Sequence, residues 1–493
     1  MTRAMDQQDA PMTRIAIIGA GLAGQICAAA LRANLPSAID IKWLDTGRDQ
    51  DSDIFYGHTT PPESYGFNLA ACVNEPDLVL NSDTSFSLGT QFTAWSPQNL
   101  EWVQCSHLPL PVMDSVPFHH HLARLDIDNI EPFLMPSIMA RNGRFAHPPP
   151  NTDTPLSRAE YGYQIDPFTY GRVFQEAATQ HGLVLTNSAI EAVCVKDGHI
   201  RSIALKNGEK LTADLFIDCT GPKASLLHAL GSAYQGKRAL FGASSYQAQS
   251  VLGFSCRHIH GTDYGWVSES ALQGRRINMS VSAPEDKAAA RAAHNGAVTT
   301  EADVMLGRRD APWLGNCVGI GHAAAILEPI STAPIRALQR DIERLLRLIP
   351  VSADMSVERR EYNRLFDDDI SHMHMFNRSF FPPGETTPSL YWKQASEQPL
   401  GEKLTRKLTL FEDRGVLVTY DLEPFNEQDW TILHFGMRRT AGRYDRVADR
   451  YEKRDLERYL NTMSQAIKTL AAKIPPHHIY MQGLRKHLSN RPS

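Results

Sequence analysis

Three glycines stand in the pattern Gly19-Ala20-Gly21-Leu22-Ala23-Gly24, between the apolar residues Ile15-Ala16-Ile17-Ile18 and a run of small residues at 25–32. In such a pattern the first glycine permits a tight turn and the second lets backbone approach a pyrophosphate. The third lets a helix pack against the preceding strand. A second apolar stretch, 39–44, ends in Asp45, 26 residues beyond Gly19. A carboxylate there can accept hydrogen bonds from ribose hydroxyls. Together these features predict a βαβ unit holding a dinucleotide, with Gly19, Ala20, Gly21, Ala23, Gly24 and Asp45 as its contacts. A glycine turn in some other α/β protein is the plainer alternative, and it needs no acidic strand end.

Two distant elements narrow the cofactor. Residues 214–221, Asp-Leu-Phe-Ile-Asp-Cys-Thr-Gly, form an apolar strand that ends in a small-residue turn. Residues 315–325 repeat the device, with a strand running through Gly321 and His322 into a small-residue helix start. Flavoproteins with one Rossmann unit use such strands to return the chain to the flavin. Backbone N–H groups there can face isoalloxazine carbonyls, where negative charge builds on reduction. Gly19, Gly221 and Gly321 would then bracket one elongated FAD. The sequence has no second well-formed GxGxxG for a nicotinamide cofactor, so FADH2 is expected from a separate flavin reductase. NADPH bound without a motif is the alternative.

These groups need a scaffold, and composition bounds it. The chain has 493 residues, 42% hydrophobic and 21% charged, with a net charge of −5. That balance suits a soluble globular protein of two or three compact units and gives no electrostatic footprint for nucleic acid. Seven scattered cysteines without a CxxC fit a reducing, cytoplasmic setting, with neither a disulfide framework nor a zinc site. No apolar run approaches the roughly 18 residues needed to span a bilayer. Residues 1–11 read as a disordered leader, or as an upstream start before Met12, and not as a signal peptide.

Residues 12–50 read as β-α-β. A loop is expected around Pro148-Pro149-Pro150. A helix is expected at 168–181, with Gly182 as its cap. Asp197-Gly198 and Asn207-Gly208 mark hairpin turns between strands at 192–195, 200–205 and 211–218. Residues 250–282 look like further strands. Helical periodicity returns at 335–349 and dominates to the C-terminus. Residues 438–458 are rich in Arg interleaved with Asp and Glu, which favours a solvated helix face over a nucleic-acid patch.

Further segments tie the motifs together. Gly57-His58-Thr59-Thr60-Pro61-Pro62 resembles a Gly-Glu-Ala-Thr-x-Pro flavin loop, and 85–95 resembles a Thr-Tyr-Lys-x-x-x-Lys-Phe-x-x-Trp stretch. Residues 213–227 resemble an Ala-Asp-Leu-Phe-Ile-Asp-Cys-Ser-Gly segment. Residues 315–339 resemble a Gly-Asn-x-x-x-Ile-Gly stretch running into Glu-Pro-Leu-Glu-Ser-Thr-Gly-Ile, and Tyr362-Asn363 matches a Tyr-Asn marker. On these residues the chain resembles the flavin-dependent tryptophan halogenases over nearly its whole length. The resemblance implies an α/β fold: a single Rossmann-type FAD-binding module with an inserted mixed β-sheet and a C-terminal, mainly helical substrate-binding part. The expected limits are 12–60 plus 158–350 for the FAD module, 61–157 for an inserted substrate or tunnel region, and 351–493 for the helical part. It also assigns Thr59, Thr60, Val193, Gly221, Gly321, His322 and Ile335 to the cofactor.

The departures from that family bear on the chemistry. In the family, FADH2 and O2 form a C4a-hydroperoxide, and halide attack on it yields hypohalous acid. A lysine then presents the halogen to the substrate, supported by a glutamate. The lysine falls on Ser87, and residues 82–95 contain no Lys or Arg. The glutamate falls on Ser331, within Glu328-Pro329-Ile330-Ser331. The Thr-Gly pair that supports halide binding becomes Ala333-Pro334, and proline has no N–H to donate. The Trp-x-Trp-x-Ile-Pro signature shrinks to Trp266-Val267-Ser268. A flavin cradle kept without its halogen relay predicts a monooxygenase acting on an aromatic or amine-bearing small molecule, free or carrier-bound, in secondary metabolism. Ser87, Ser331 and Glu328 are the candidate catalytic positions. A halogenase with a displaced amine and a non-oxygenating flavoprotein are the alternatives, and a homodimer is left open.

Other residues invite weaker readings. His119-His120-His121 lacks a completing carboxylate or cysteine, so a structural or tunnel-lining role is favoured over a metal. His372 and His374 do not share a helix face. Asp367-Asp368-Asp369 reads as a solvated turn. Tyr391, Trp392, Phe411 and Trp430 lie where relatives build an aromatic substrate box, although core packing is the simpler role for each.

Overall fold

The computed structural model describes residues 11–47, 50–150, 153–384 and 389–490. The expected leader therefore lies, but for Pro11, outside the described residues. The βαβ unit forms as the sequence requires. Strand β1 (Arg14–Ile18) is buried beyond its first residue, helix α1 (Leu22–Asn34) follows the glycine turn, and strand β2 (Asp40–Asp45) returns parallel to β1. Leu215–Asp218 lies parallel on the other side of β1, with Ile15 opposite Leu215. The six-stranded sheet runs 313–314, 317–319, 215–218, β1, β2, 185–187. Its central strands are apolar runs because a parallel sheet is covered on both faces. Helix Pro167–Gln180 packs on α1, and a β-carbon at Gly171 would sit 1.9 Å from Gln25 Oε1.

An eight-stranded sheet lies beside it, in the order 325–326, 300–309, 234–248, 275–282, 265–271, 257–262, 89–95, 100–105. It draws strands from both the 61–157 and the 158–350 segments, joined where Arg257–Thr262 runs parallel to Gly89–Trp95. Its longest member, Tyr234–Ala248, and its neighbour Thr300–Arg309 fall in stretches without a strand signal. For Tyr234–Ala248 the reason is burial from both sides. Residues 240–245 are all buried, so alternation disappears. On one face Gly242 leaves room for Phe55, whose ring would lie 2.7 Å from an added β-carbon. On the other, Phe241 and Ala243 pack on Ala290.

A small sheet of 190–196, 199–205 and 210–211 forms around the expected turns, with Asp197 and Gly198 both at positive φ. The remainder is helical, including Ala333–Arg347, Ser356–Arg378 and Lys453–Lys473. Asp367, Asp368 and Asp369 lie inside the second of these helices and not in a turn. Asp369 is buried and takes ion pairs from Arg340 and Arg344, so it ties two helices together. Residues 438–458 divide between a 3-10 turn, Arg446–Arg450, and the start of the Lys453–Lys473 helix. Among the described residues no helix is long and apolar enough to cross a membrane.

Candidate active site

The glycine turn and its neighbours line a cleft at the C-terminal ends of the parallel strands. Gly19, Ala20, Gly21, Ala23, Asp45 and Gly221 all face it, with Asp53, Tyr56 and Thr220. Ligands bind at this edge of such sheets. Glycine is obligatory at two points. A β-carbon at Gly19 would lie 2.2 Å from the Cys219 carbonyl oxygen, and one at Gly24 would lie 2.1 Å from that of Gly19. Asp45 closes β2, and its Oδ1 accepts a hydrogen bond from Gly47 N at 2.8 Å. These residues fit a dinucleotide. Two donors in the region are already engaged by the chain itself. Leu22 N, at the N-terminus of α1, donates to Asp53 Oδ2 at 2.8 Å. His322 N donates to the Tyr56 hydroxyl at 2.9 Å. Sequence reasoning missed Asp53 and Tyr56, because no motif marks the turn that carries them.

At the second glycine element, Gly321 is buried and its N–H donates to Asp341 Oδ2 at 3.2 Å. The His322 ring stacks on Tyr56 with centroids 3.7 Å apart and planes 2° from parallel. Burial holds the His322 imidazole down to about 3, so it is neutral. Ile335 is fully buried one turn into the Ala333–Arg347 helix. Val193 is not a wall of the cleft. It lies in the small sheet and packs on the cluster containing Ile203 and Leu226.

A second cavity brings Ser87 and Ser331 together with Thr59 and Thr60. Ser87 ends the short strand Ser85–Ser87, and its hydroxyl donates to Gly89 O at 3.1 Å. The Ser331 hydroxyl donates to Asn377 Oδ1 at 2.6 Å and accepts from Ala333 N at 3.2 Å. Pro334 sits in the first turn of the helix that begins here. Phe92, Phe376, Phe380 and Phe425 supply aromatic walls. Tyr391, Trp392, Phe411 and Trp430 do not line this cavity and are packed in the core, the simpler of the two roles read from the sequence. Tyr391 and Trp430 donate to Glu328 and Glu423, Trp392 donates to Thr262 O, and Phe411 stacks on His434. Charge in the cavity comes from Arg336 and Asp429. Arg336 donates to Glu63 Oε1 at 2.9 Å and to Pro424 O at 2.7 Å. Desolvation pushes the Asp429 carboxyl up to about 6, against the pull of Arg336.

Glu328 sits behind this cavity. It pairs with Arg238 and accepts from Trp266 Nε1 at 3.0 Å and the Tyr391 hydroxyl at 2.5 Å. Both of its carboxylate oxygens are engaged by these neighbours. Asn377 joins the two layers, since its Nδ2 donates to Glu328 O at 2.8 Å. The three histidines 119–121 are buried, and each ring faces a different neighbour. His119 Nε2 lies 2.7 Å from Gly415 O, His120 Nδ1 accepts from Asp445 N at 3.2 Å, and His121 packs edge-on to Tyr451.

Comparison with known proteins settles the family. The family model described as tryptophan halogenase matches residues 14–453. The chain belongs to the tryptophan halogenase family. It is 22% identical over 442 residues to 7-chloro-L-tryptophan 6-halogenase KtzR of Kutzneria sp. (strain 744), covering 80% of this chain and 84% of that one. It is 21% identical over 452 residues to tryptophan 6-halogenase ThaL of Streptomyces albogriseolus, covering 80% and 81%. Its fold is shared with BrvH, a flavin-dependent halogenase from Brevundimonas sp. BAL3, at a TM-score of 0.87 and 24% identity over 96% of this chain and 99% of that one. Enzymes of this halogenase family are oxidoreductases that use FADH2 and O2, with a separate reductase supplying the flavin and a small molecule as substrate.

Proposed function

We propose that this halogenase-family enzyme oxygenates its substrate and does not halogenate it. Reduced FAD, when bound, supplies oxygen activation. The remaining chemistry belongs to the chain. The observation that carries the proposal is the lining of one cavity by Ser87 and Ser331, the two positions where the family resemblance placed a lysine and a glutamate. A serine hydroxyl forms no stable haloamine. The cavity's cation, Arg336, is a guanidinium already held by Glu63 and Pro424 O. Pro334 offers no backbone donor to a halide, and an anion without donors is costly to desolvate.

The four phenylalanines of the cavity suit a flat, apolar or aromatic substrate. Asp429, titrating at about 6, can hold or release a proton near neutrality at the substrate's polar end. Asn377 fixes the Ser331 hydroxyl and, through Glu328 O, ties the cavity floor to the buried Arg238–Glu328 pair.

The test supplies purified enzyme with chemically reduced FAD, air, bromide and a panel of indoles, phenols and arylamines, with products read by mass spectrometry. A product heavier by one oxygen atom is expected. Bromine incorporation would overturn the proposal in favour of a displaced halogen carrier. Hydrogen peroxide as the sole product across the panel would favour a non-oxygenating flavoprotein.

A further inference from the structure

We propose that the cavity bordered by Lys237, Arg238, His374 and Arg378 binds a phosphate dianion, free or as the monoester end of a larger molecule. It adjoins the cavity of Ser87 and Ser331 through Asn377, which lines it and accepts the Ser331 hydroxyl. The site stands apart from the oxygen chemistry, so binding tests it without turnover.

The backbone brings its cations together. Successive side chains of a strand point to opposite faces. Lys237 and Arg238 are neighbours in the strand Tyr234–Ala248, yet both line this cavity. A bulge makes the exception. Gly236 pairs with Gly307 and Arg238 with Leu306, so Lys237 is an extra residue with no partner opposite. Such a residue bends the strand and re-aims its side chains. From the other side, His374, Asn377 and Arg378 stand at i, i+3 and i+4 of the helix Ser356–Arg378 and share one face. Leu306, Phe381 and Ala395 supply apolar walls.

Charge in this cavity does not balance. Its carboxylate, Glu328, pairs with Arg238. Lys237 is exposed at the rim, and no carboxylate among the described residues pairs with it. Arg378 donates to Gln398 O at 2.8 Å, Phe381 O at 2.5 Å and Ser396 O at 2.8 Å, all neutral carbonyls. Lys237, Arg238 and Arg378 thus face one carboxylate, an excess of two positive charges. The neighbouring Arg308 adds none, since Asp367 pairs with it at 2.5 Å. Burial and the nearby Arg238 hold the Arg378 guanidinium down to about 10, in keeping with this crowding.

Free donors accompany the charge. The Arg238 side chain is 5% exposed, and its guanidinium lies 5.6 Å from the Phe381 ring and 5.0 Å from the Tyr391 ring. Its Nη2 serves Glu328, while Nη1 has no hydrogen-bond partner. A buried charged nitrogen left unpaired is costly. His374 Nε2 is likewise without a partner, and a neutral imidazole can donate there. The Lys237 ammonium completes the set. A phosphate dianion matches both the excess charge and these donors. A halide or a carboxylate would leave one charge uncompensated.

The test is titration of the full-length protein with inorganic phosphate and with phenyl phosphate at about pH 8, followed by calorimetry and phosphorus NMR, with chloride holding the ionic strength fixed. Oxidised FAD is present throughout, so that phosphate does not report the Gly19–Gly24 cleft. Wild type is expected to take up one phosphate per chain. Lys237→Glu reverses a charge at the exposed rim, where folding does not depend on it, and should weaken binding about tenfold or more. Lys210→Glu, at an exposed lysine of the small sheet, should bind as wild type does. Phenyl phosphate binding as tightly as phosphate assigns the site to an organic monoester, and its exclusion assigns the site to free phosphate. No uptake of either by wild type, equal affinity of wild type and Lys237→Glu, or equal losses in Lys237→Glu and Lys210→Glu would each overturn the site.

Discussion

Replacing Asp53 by asparagine should stabilise the apoprotein, and by more as the pH rises. The folded structure holds this carboxyl at about 7, against 3.8 for an ordinary aspartate. Between those values the unfolded chain has released the proton and the folded one has kept it, so each unit of pH favours unfolding by about 1.4 kcal/mol. The stability contributed by the protonated, hydrogen-bonded form is fully present below the unfolded value and lost as pH climbs through the folded one. Integrated over that window, the loss amounts to about 4 kcal/mol by pH 8. Asparagine offers the same oxygen to Leu22 N–H and titrates nowhere, so Asp53→Asn escapes the loss. Urea unfolding of both apoproteins should show a gap of about 2 kcal/mol at pH 5 that widens to about 4 kcal/mol at pH 8. A gap that stays constant across this range would refute the reasoning, since a simple packing or hydrogen-bond difference has no reason to follow pH.

Gly24→Ala forces a β-carbon to within 2.1 Å of the Gly19 carbonyl oxygen; α1 must shift, and FAD titration should show the affinity lost along with about 1–3 kcal/mol of stability. Glu328→Ala leaves Arg238 buried without its carboxylate and should lower stability by about 3–5 kcal/mol in thermal or urea unfolding, with Glu328→Gln milder. Asp429→Asn removes a group that titrates at about 6 in the substrate cavity; the limb of the pH–rate profile near 6 should flatten while FAD binding is unchanged.

Much of the fold was legible because local chemistry and tertiary role coincide. The three glycines, the apolar β1 and β2, the Asp-Gly hairpin turn and the helix cap at Gly182 each announce a backbone requirement that no other arrangement meets. Strand Tyr234–Ala248 went unannounced, because its stretch 240–245 is buried on both faces and loses its alternation. Which aromatics border the cavity was not legible in the sequence. Phe92, Phe376, Phe380 and Phe425 carry no mark that sets them apart from Phe411 or the other buried rings, and only the packing of distant elements decides which rings border a void.

The sequence by itself supplied a glycine pattern at Gly19–Gly24 that suits a dinucleotide, and it put serine at 87 and 331 and proline at 334, where the family resemblance placed a lysine, a glutamate and a backbone donor, because residue identity alone sets what each position can offer. The tertiary structure decided that Ser87 and Ser331, 244 positions apart in the chain, share one cavity, and that Asp53 and Tyr56 rest on the donors of the cleft. Such meetings depend on how strands and helices far apart in sequence are brought side by side, and burial then sets which charges those meetings tolerate.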